Sequence, residues 1–209
     1  MQISLARRPR LRAPYEMSLG ERLFLARLRA RDERAFQELV TESGDRVFNL
    51  VLRMVGDRAE AEDIAQEVYV TVWKSIDTYR GEAKLSTWLL RIAANHAKNR
   101  IKYLARRATD KGGLDEAPEA AMADLGKAPA QAHVSSPEAA LEAAERGTAL
   151  EQAIASLDED HRLVLVLRDI EELAYEEICE ITGLPEGTVK SRIHRARLAL
   201  KERLARERG

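Results

Sequence analysis

Apolar residues recur every three to four positions along the front half of the chain, which is the spacing of helices with one buried face. The third predicted helix shows this most simply, because its apolar residues are four positions apart: Ile64, Val68, Val72 and Ile76. A break in the second helix is allowed for at Gly44. The pattern predicts four helices, over residues 19–30, 33–56, 58–76 and 85–106.

A second helical pattern occupies the carboxyl-terminal part of the chain. Residues 175–182 predict a short acidic helix, 183–185 a tight turn, and the residues that follow the turn a longer basic helix. Gly183 stands where the first helix must end, and such a position favours the left-handed backbone that glycine adopts at little cost. Pro185 suits the first turn of the next helix. Two helices joined by a tight turn are typical of the helix-turn-helix, whose second helix lies in the major groove of DNA.

Composition indicates an all-α protein made of two small helical domains. Aromatic residues make up 5% of the sequence, which is low for an all-β protein of 209 residues. Between the helical patterns lies a stretch rich in Gly, Pro and acidic residues without helical periodicity, which predicts a flexible acidic linker. The expected division is a basic amino-terminal arm, a four-helix domain, the linker and a helix-turn-helix domain, over residues 1–18, 19–108, 109–137 and 138–209.

The net charge of −1 conceals a strong segregation of charge along the sequence. Residues 148–187 carry eleven acids and two Arg, whereas residues 188–209 carry eight Lys or Arg and two acids. The fourth predicted helix is also basic, since residues 83–109 contain seven Lys or Arg and no acid. Because duplex DNA carries roughly one negative charge per 1.7 Å of its axis, both basic helices are expected to contact nucleic acid.

The third predicted helix is acidic at its start, with five acids and one Arg between Asp57 and Glu67. Two interpretations are open for this face. It is either a solvated surface whose acids are favoured by the helix dipole, or a docking surface for a basic partner helix. The single Cys, Cys179, excludes an internal disulfide and is interpreted as a small apolar residue buried where the two helices of the motif cross.

Residues that would carry enzymatic chemistry or bind a metal are not grouped in the sequence. The four His are scattered, and no Gly-rich phosphate-binding loop is found. We therefore expect no enzymatic activity, no metal and no cofactor. No apolar run approaches the roughly 20 residues of a membrane-spanning helix. A single Cys fits a reducing compartment, so a cytoplasmic protein without membrane insertion is expected.

With these residues in hand, the chain resembles a bacterial RNA polymerase sigma factor of the sigma-70 family, of the extracytoplasmic-function type. The resemblance covers about residues 20–107 and 140–206. In the front domain it is carried by AFQELV at 35–40, AEDIAQEVYVTVWKSI at 61–76 and TYRGEAKLSTWLLRIAANHAKN at 78–99. In the rear domain it is carried by LDEDHRLVLVLRDIEELAYEEICEITGLPEGTVKSRIHRARLAL at 157–200. These blocks in this order are more specific than a lone helix-turn-helix.

The resemblance implies a non-enzymatic factor that binds core RNA polymerase, directs it to promoters and promotes transcription initiation. It would read the −35 element as duplex DNA and the −10 element as a single strand. It would serve a stress or envelope response under the control of an anti-sigma partner. The acidic linker would follow the RNA exit path of the polymerase.

The resemblance also implies residue roles. The third helix would dock on the clamp helices of the largest polymerase subunit, and the flap of the second-largest subunit would be a further contact. The implied polymerase contacts are Asp63, Gln66, Glu67, Val70 and Lys74. The implied −10 contacts are Tyr79, Lys84, Leu85, Ser86, Asn95, Lys98, Asn99 and Arg100. The implied −35 reader is the helix-turn-helix from Tyr175 to His194, with contacts from Lys190, Ser191, Arg192, His194 and Arg195.

Three alternative functions compete with this interpretation. A free-standing helix-turn-helix regulator would explain residues 148–209 equally well, but it leaves the acid-free helix over 83–109 unexplained. An enzyme acting on nucleic acid would need a cluster of catalytic residues that the sequence lacks. A helical adaptor without DNA contacts would show balanced charge on its last helix, which this chain does not have.

Overall fold

A computed structural model of the chain describes residues 15–110 and 149–206, and none of these residues forms a strand. The front module, residues 15–110, contains α1 to α4: Leu19–Arg29, Glu33–Val55, Arg58–Ser75 and Leu85–Asp110. A short 3-10 turn, Ile76–Thr78, follows α3. The rear module, residues 149–206, contains α5 to α8: 149–155, Glu159–Leu165, Tyr175–Thr182 and Glu186–Arg206. The expectations for residues 1–14 of the arm and 111–137 of the linker lie outside the described residues.

The predicted helices are confirmed, with ends fixed by side chains that accept hydrogen bonds from the first turn. Ser18 forms a capping box with Glu21 at the start of α1. Asp32 and Asp57 accept from the backbone N–H groups of the first turns of α2 and α3. The side chains at these positions satisfy N–H groups that would otherwise have no partner.

The second helix runs without interruption through Gly44, so the break allowed for at that position is wrong. A Cβ built on Gly44 would meet nothing within 4 Å, and apolar residues continue on both sides. Burial of Leu39 and Val47 against the bundle therefore outweighs the roughly 1 kcal/mol that a mid-helix glycine costs. The helix ends instead at Gly56, whose φ of 79° is left-handed.

The front module is a bundle in which α2, α3 and α4 enclose a continuous apolar core. Completely buried side chains come from all three helices, and each contributes about 1.5–3 kcal/mol relative to exposure. They include Val47, Leu50, Val51, Met54, Ile64, Val68 and Leu90. Helix α4 therefore turns its apolar stripe inward and leaves its basic residues on the other faces.

The rear module is built around a change of helix geometry at the end of α6. Residues Val166–Ile170 form a π-helical turn, and Glu171 N–H donates to the carbonyl of Val166 at 2.9 Å. Glu172 then takes a left-handed backbone with φ of 54°. Leu173 N–H donates back to the carbonyl of Leu167 at 3.0 Å, which closes the turn into α7. This turn points α7 and α8 into the crossed arrangement that the sequence predicts.

The two modules pack directly against each other, which the sequence does not indicate. Their buried apolar residues form one continuous cluster, from Leu25 in α1 to Ala196 in α8. Arg162 of α6 reaches across the boundary, where its Nη1 donates to the carbonyl of Met54 in the last turn of α2 at 2.6 Å. The basic helix α4 consequently lies beside the acidic elements of the rear module.

Candidate polymerase and nucleic-acid interfaces

The loop between α3 and α4 forms a concave pocket of about 210 Å³. Tyr79 and Trp88 are buried beside it, with their rings 5.5 Å apart. The Tyr79 hydroxyl donates to the carbonyl of Ala83 at 2.5 Å, and Arg29 Nη2 donates to the carbonyl of Tyr79 at 2.7 Å. These bonds fix the loop. Aromatic walls with guanidinium groups suit an unpaired base, through stacking and hydrogen bonds. The pocket wall includes Thr78, Tyr79, Arg80, Thr87, Trp88 and Arg91.

Helix α4 presents a polar face that continues from this pocket. Asn95 and Asn99 are exposed and lie one turn apart. Leu85 and Ser86, at the start of α4, are half-buried, and Lys84 before them is exposed. The pocket, the start of α4 and this polar face therefore form one surface, which contains most of the residues that the sequence assigns to −10 DNA.

Three cations assigned to −10 DNA are held by carboxylates of this chain. Lys84 Nζ lies 3.0 Å from Glu177 of α7, and Lys98 Nζ lies 2.6 Å from Asp160 of α6. Arg100 contacts Glu60 and also donates to Glu67 at 3.2 Å. Two of the three are thus held by the rear module, and one by α3.

The polar face of α3 is open to solvent. The five residues assigned to polymerase are all exposed: Asp63, Gln66, Glu67, Val70 and Lys74. Val70 leaves 51% of its surface exposed, which is high for a valine. The carboxylate of Glu67 also contacts α4, where it lies 3.4 Å from Nδ1 of His96.

The helix-turn-helix has the predicted turn. Gly183 is left-handed with φ of 70°, and its N–H donates to the carbonyl of Cys179 at 2.8 Å. Pro185 precedes α8 rather than lying in its first turn, so that placement is wrong by one residue. Its carbonyl accepts from Thr188 and Val189, which makes it the residue that starts the helix. Cys179 is half-buried and packs against the core, less enclosed than expected.

The outward face of α8 carries the residues assigned to −35 DNA. Lys190, Ser191, His194 and Arg195 are exposed on it. Glu186, one turn earlier, contacts Lys190 at 2.6 Å and raises the pKa of the lysine ammonium group. A lysine ammonium group is charged at neutral pH even without this shift, so the Glu186 pair affects the position of Lys190 rather than its charge.

Two arginines of α8 make ion pairs within the chain, among them Arg192, which the resemblance assigns to −35 DNA. Arg192 is half-buried, and its Nη1 lies 2.8 Å from Asp160. Arg197 binds Asp169 through two nitrogens, at 2.5 and 3.0 Å. The sequence reasoning missed these pairs, and also Arg80 and Arg91 in the pocket wall. The signal for Arg91 was available, since it lies four residues before Asn95 on the same face of α4.

Within the described ranges no group of three or more His, Cys, Asp or Glu is arranged to hold a metal ion. Of the helices that the structure describes, none combines the length and the apolar character that crossing a bilayer requires.

The two modules correspond to two families. The sigma-70 region 2 family matches residues 39–107, and the sigma-70 region 4 family matches residues 147–200. A sigma-70 region 2 followed by a sigma-70 region 4 defines a transcription initiation factor of the sigma-70 class.

Whole-chain relatives define the group more closely. The RNA polymerase sigma-H factor of Pseudomonas aeruginosa is 38% identical over 178 residues, covering 85% of this chain and 90% of that protein. The ECF RNA polymerase sigma factor SigW of Bacillus subtilis is 35% identical over 195 residues, covering 90% and 98%. The ECF RNA polymerase sigma-E factor of Escherichia coli K12 is 34% identical over 186 residues, covering 89% and 95%. The chain belongs to the extracytoplasmic-function (ECF) sigma factors of the sigma-70 family, and it is a promoter-specific transcription initiation factor.

Solved structures share the fold. The sigma factor RpoE of Bartonella quintana, in complex with the anti-sigma factor NepR, matches with a TM-score of 0.64 at 23% identity, covering 81% of this chain and 96% of that chain. CnrH, in complex with the cytosolic domain of CnrY, matches with a TM-score of 0.61 at 22% identity, covering 88% and 96%. These similarities support the all-α arrangement of two modules.

Proposed function

We propose that this chain docks on core RNA polymerase through the exposed face of α3 and reads promoter DNA at two places. The pocket beside Tyr79 and the polar face of α4 take the −10 element as a single strand. The outward face of α8 takes the −35 element as duplex.

One observation carries this proposal: two basic helices lie in separate modules, and an acidic face lies on a third helix. A free-standing regulator needs one DNA-reading helix, whereas this chain has α8 and the acid-free stretch of α4. The exposed face of α3 has the opposite sign, with Asp63 and Glu67, and supports docking on a basic partner helix. Separate surfaces for a protein partner, a single strand and a duplex fit an initiation factor better than an adaptor.

The single-strand role of the front pocket follows from its chemistry. Extruding a base costs a few kcal/mol of lost stacking, which the pocket must return through contacts. Trp88 and Tyr79 supply aromatic surface at the pocket, while Arg80 and Arg91 supply donors to a base edge or phosphate. Asn95 and Asn99 extend the same surface with amide groups that recognise bases.

A second polymerase contact is proposed for the rear module. A groove beside Asp169 is lined by apolar residues of α8, including Leu200 and Leu204. This groove lies along the later turns of α8, beyond the residues assigned to −35 DNA, so the flap of the second-largest subunit can bind there while Arg195 faces the −35 element.

Control by an anti-sigma protein in the cytoplasm, during a stress or envelope response, completes the proposal. RpoE of Bartonella quintana was solved in complex with the anti-sigma factor NepR, and CnrH in complex with the cytosolic domain of CnrY. A partner that covers the α3 face would prevent docking on polymerase. The exposed Val70 gives such a partner an apolar anchor.

Run-off transcription tests the proposed function. Purified chain is mixed with purified core polymerase and a library of genomic promoter fragments, with core polymerase alone as the control. We expect defined transcripts only when both proteins are present, and co-elution of the chain with core enzyme. A chain that fails to bind core enzyme but binds a duplex operator tightly by itself would instead be a free-standing regulator.

A further inference from the structure

Helix α1 buries few of its side chains, yet it and its flanking residues contact the loop of the proposed base pocket at three places. Of the eleven residues of α1, Leu25 and Leu28 are buried. Two larger apolar residues, Leu19 and Leu23, face solvent with 72% and 60% of their surface exposed. The core therefore gains little from this helix, and its contacts with residues 79–84, here called the base loop, need another explanation.

The start of the base loop is held from α1 and from the turn that follows α1. Nη2 of Arg29 donates to the carbonyl of Tyr79 at 2.7 Å. Arg31, in the turn before α2, takes a left-handed backbone with φ of 61°. Its guanidinium lies 2.5 Å from a carboxylate oxygen of Asp77 and donates to the carbonyl of Trp73. These two arginines therefore fix the end of α3 and the entry into the base loop.

The middle of the base loop lies against Met17, which comes just before α1. Gly81 has a left-handed φ of 73°, and a Cβ built on it would lie 2.7 Å from Cε of Met17. The methyl group of Met17 therefore occupies the space that a side chain at Gly81 would need. Met17 is half-buried against the core, and its carbonyl accepts from Nε of Arg22 at 3.0 Å. The contact with the loop is thus made by a side chain that is itself held in place.

The end of the base loop lies beside Tyr15. This tyrosine shares the lining of a hollow of about 220 Å³ with Ala83 and Lys84 of the loop. One carboxylate oxygen of Glu21 accepts from the Tyr15 hydroxyl, and the other accepts from the N–H of Ser18 at 2.7 Å. The carboxylate that takes part in the capping box of α1 therefore also holds Tyr15 next to the loop.

The base loop has weak means of fixing its own shape. Within it, the Tyr79 hydroxyl donates to the carbonyl of Ala83. The carboxylate of Glu82 lies 4.0 Å from Arg80, but both side chains are about four-fifths exposed, and such a pair contributes little. A loop that must become ordered when it binds a ligand subtracts the cost of ordering from the affinity. Contacts from outside the loop remove that cost in advance.

We propose that α1 and the residues just before it brace the base loop, and that Met17 and Arg29 are positioning residues for the capture of an unpaired base. Neither side chain belongs to the described wall of the pocket, so each acts through the loop. Met17 holds the middle of the loop and Arg29 holds its start, in the shape that the base enters. This inference rests on the proposed function, because it takes the pocket beside Tyr79 as the site of the extruded base.

Variants at Met17 test the contact with the middle of the loop. Met17→Ala removes the methyl group that lies beside Gly81, whereas Met17→Leu keeps an apolar side chain of similar volume. Leu23→Ala is the matched control, because it shortens an apolar side chain that α1 exposes to solvent. Circular dichroism verifies that each variant keeps its helices.

Variants at Arg29 test the contact with the start of the loop. Arg29→Met removes the donor to the carbonyl of Tyr79 and keeps most of the length of the side chain. Arg29→Lys supplies a donor again. Arg34→Met is the matched control, since it makes the same change at an exposed arginine in the first turn of α2.

The order of the base loop is measured on the full-length chain without DNA. A nitroxide spin label is attached through Glu82→Cys, an exposed position of the loop, in a Cys179→Ala background. We expect the same slow label motion in the parent chain and in both control variants. In Met17→Ala and Arg29→Met the rotational correlation time should shorten about twofold, because the loop loses a support. Identical spectra in the parent chain and in these two variants would overturn the brace.

Base capture is measured with holoenzyme, assembled from the chain and core polymerase, on a promoter obtained by run-off transcription. The non-template strand carries 2-aminopurine at one −10 position at a time, and its fluorescence rises where the base leaves the stack. Met17→Ala and Arg29→Met should weaken capture at that position about fivefold, while affinity for core polymerase is unchanged. Met17→Leu and Arg29→Lys should recover most of the loss. An equal loss in the control variants, or a parallel loss of affinity for core polymerase, would overturn the positioning role, because general destabilisation would then explain the effect.

The two proposals can fail separately. If the loop becomes mobile in Met17→Ala and Arg29→Met but the parent chain gives no transcription with core enzyme, the brace holds and the proposed function fails. If the parent chain and these two variants show the same loop motion and the same rise in 2-aminopurine fluorescence, the proposed function holds and the brace fails.

Discussion

Arg162 of α6 ties the rear module to Met54 of α2 through a hydrogen bond of 2.6 Å to its carbonyl. The same guanidinium also donates to the carbonyls of Leu157, at 2.8 Å, and Ala155. Burial lowers the pKa of Arg162, and its Nε is buried without a hydrogen-bond partner. One side chain therefore closes the end of α2 and the turn between α5 and α6.

Replacing Arg162 by Met should destabilise the folded chain by about 2–4 kcal/mol, since three carbonyls lose their donor. Arg162→Lys should recover part of this loss, because a lysine ammonium group can donate to some of the carbonyls. Urea unfolding followed by circular dichroism gives the free energy of unfolding. An unchanged midpoint for Arg162→Met would mean that water replaces the guanidinium without cost.

Replacing Gly183 by another residue should destabilise the chain because of the left-handed backbone conformation at this position. A Cβ at this position meets nothing within 4 Å, so the cost of Gly183→Ala comes from its φ of 70° and should be about 1 kcal/mol. A Cβ on Gly187 would also meet nothing within 4 Å, but Gly187 lies within α8 and its φ is not positive. Gly187→Ala should therefore stabilise the chain slightly, by about 0.4–1 kcal/mol. Thermal unfolding of both variants measures the contrast, and equal destabilisation would contradict it.

Acidification should weaken the ion pairs that Asp160 forms with Lys98 and Arg192. The hydrogen bond from Lys98 lowers the pKa of Asp160, with a further contribution from Arg192, against the effect of burial. A carboxylate with a lowered pKa stabilises the folded form above its ordinary value of about 3.9, and this stabilisation is lost as pH falls through the lowered pKa.

The difference in unfolding free energy between the parent chain and Asp160→Asn isolates this contribution. It should be constant above about pH 5 and should shrink below the ordinary pKa of aspartate. Unfolding in urea across an acid pH series measures it. A difference that grows on acidification would have the wrong sign for an ionised Asp160.

Charge reversal at Asp63 should weaken binding to core polymerase. Asp63 is exposed on α3, and no ion pair of the described residues would be lost with it. Asp63→Lys should reduce affinity about tenfold, because a cation would then face a basic partner surface. Fluorescence anisotropy with labelled chain and core enzyme measures the affinity. Glu202→Lys, an equal reversal at an exposed position of α8, should leave it almost unchanged.

Arg195 should read one base pair of the −35 element. Arg195→Ala should reduce discrimination at that position by about 1–3 kcal/mol while other positions are still read. Holoenzyme binding to duplexes with single −35 substitutions measures this change. Arg203→Ala, two turns further along α8, serves as the control. A uniform loss across all duplexes would assign Arg195 to a phosphate instead.

Local features of the fold are predictable from sequence because they depend on neighbours along the chain. The helices follow from apolar spacing, and the left-handed turn follows from Gly183. Gly44 shows the limit of local reasoning, since burial of the surrounding apolar residues outweighs the preference of one glycine. Pro185 shows another limit. It lies just before α8 and not within its first turn, and its carbonyl accepts the first backbone hydrogen bonds of the helix.

Contacts between distant charges could not be predicted. Lys98 and Asp160 are 62 residues apart, and Arg46 and Glu171 are 125 residues apart. Each is an ordinary surface residue by sequence, and charge segregation alone indicates only that opposite surfaces exist. The exposed residues of α3 and α8 were assigned through family motifs, and their roles stay predictions.

Glu67 and Arg100 connect the face of α3 that is assigned to polymerase with the helix α4 that is assigned to −10 DNA. Glu67 lies on the face assigned to polymerase, and Arg100 lies on the helix assigned to melted DNA, yet Nη2 of Arg100 donates to Glu67 at 3.2 Å. A cation from an incoming protein would compete with Arg100 for the same carboxylate. Arg100 would then be held by Glu60 alone, so recruitment of a protein at α3 would loosen a cation that α4 offers to the captured strand.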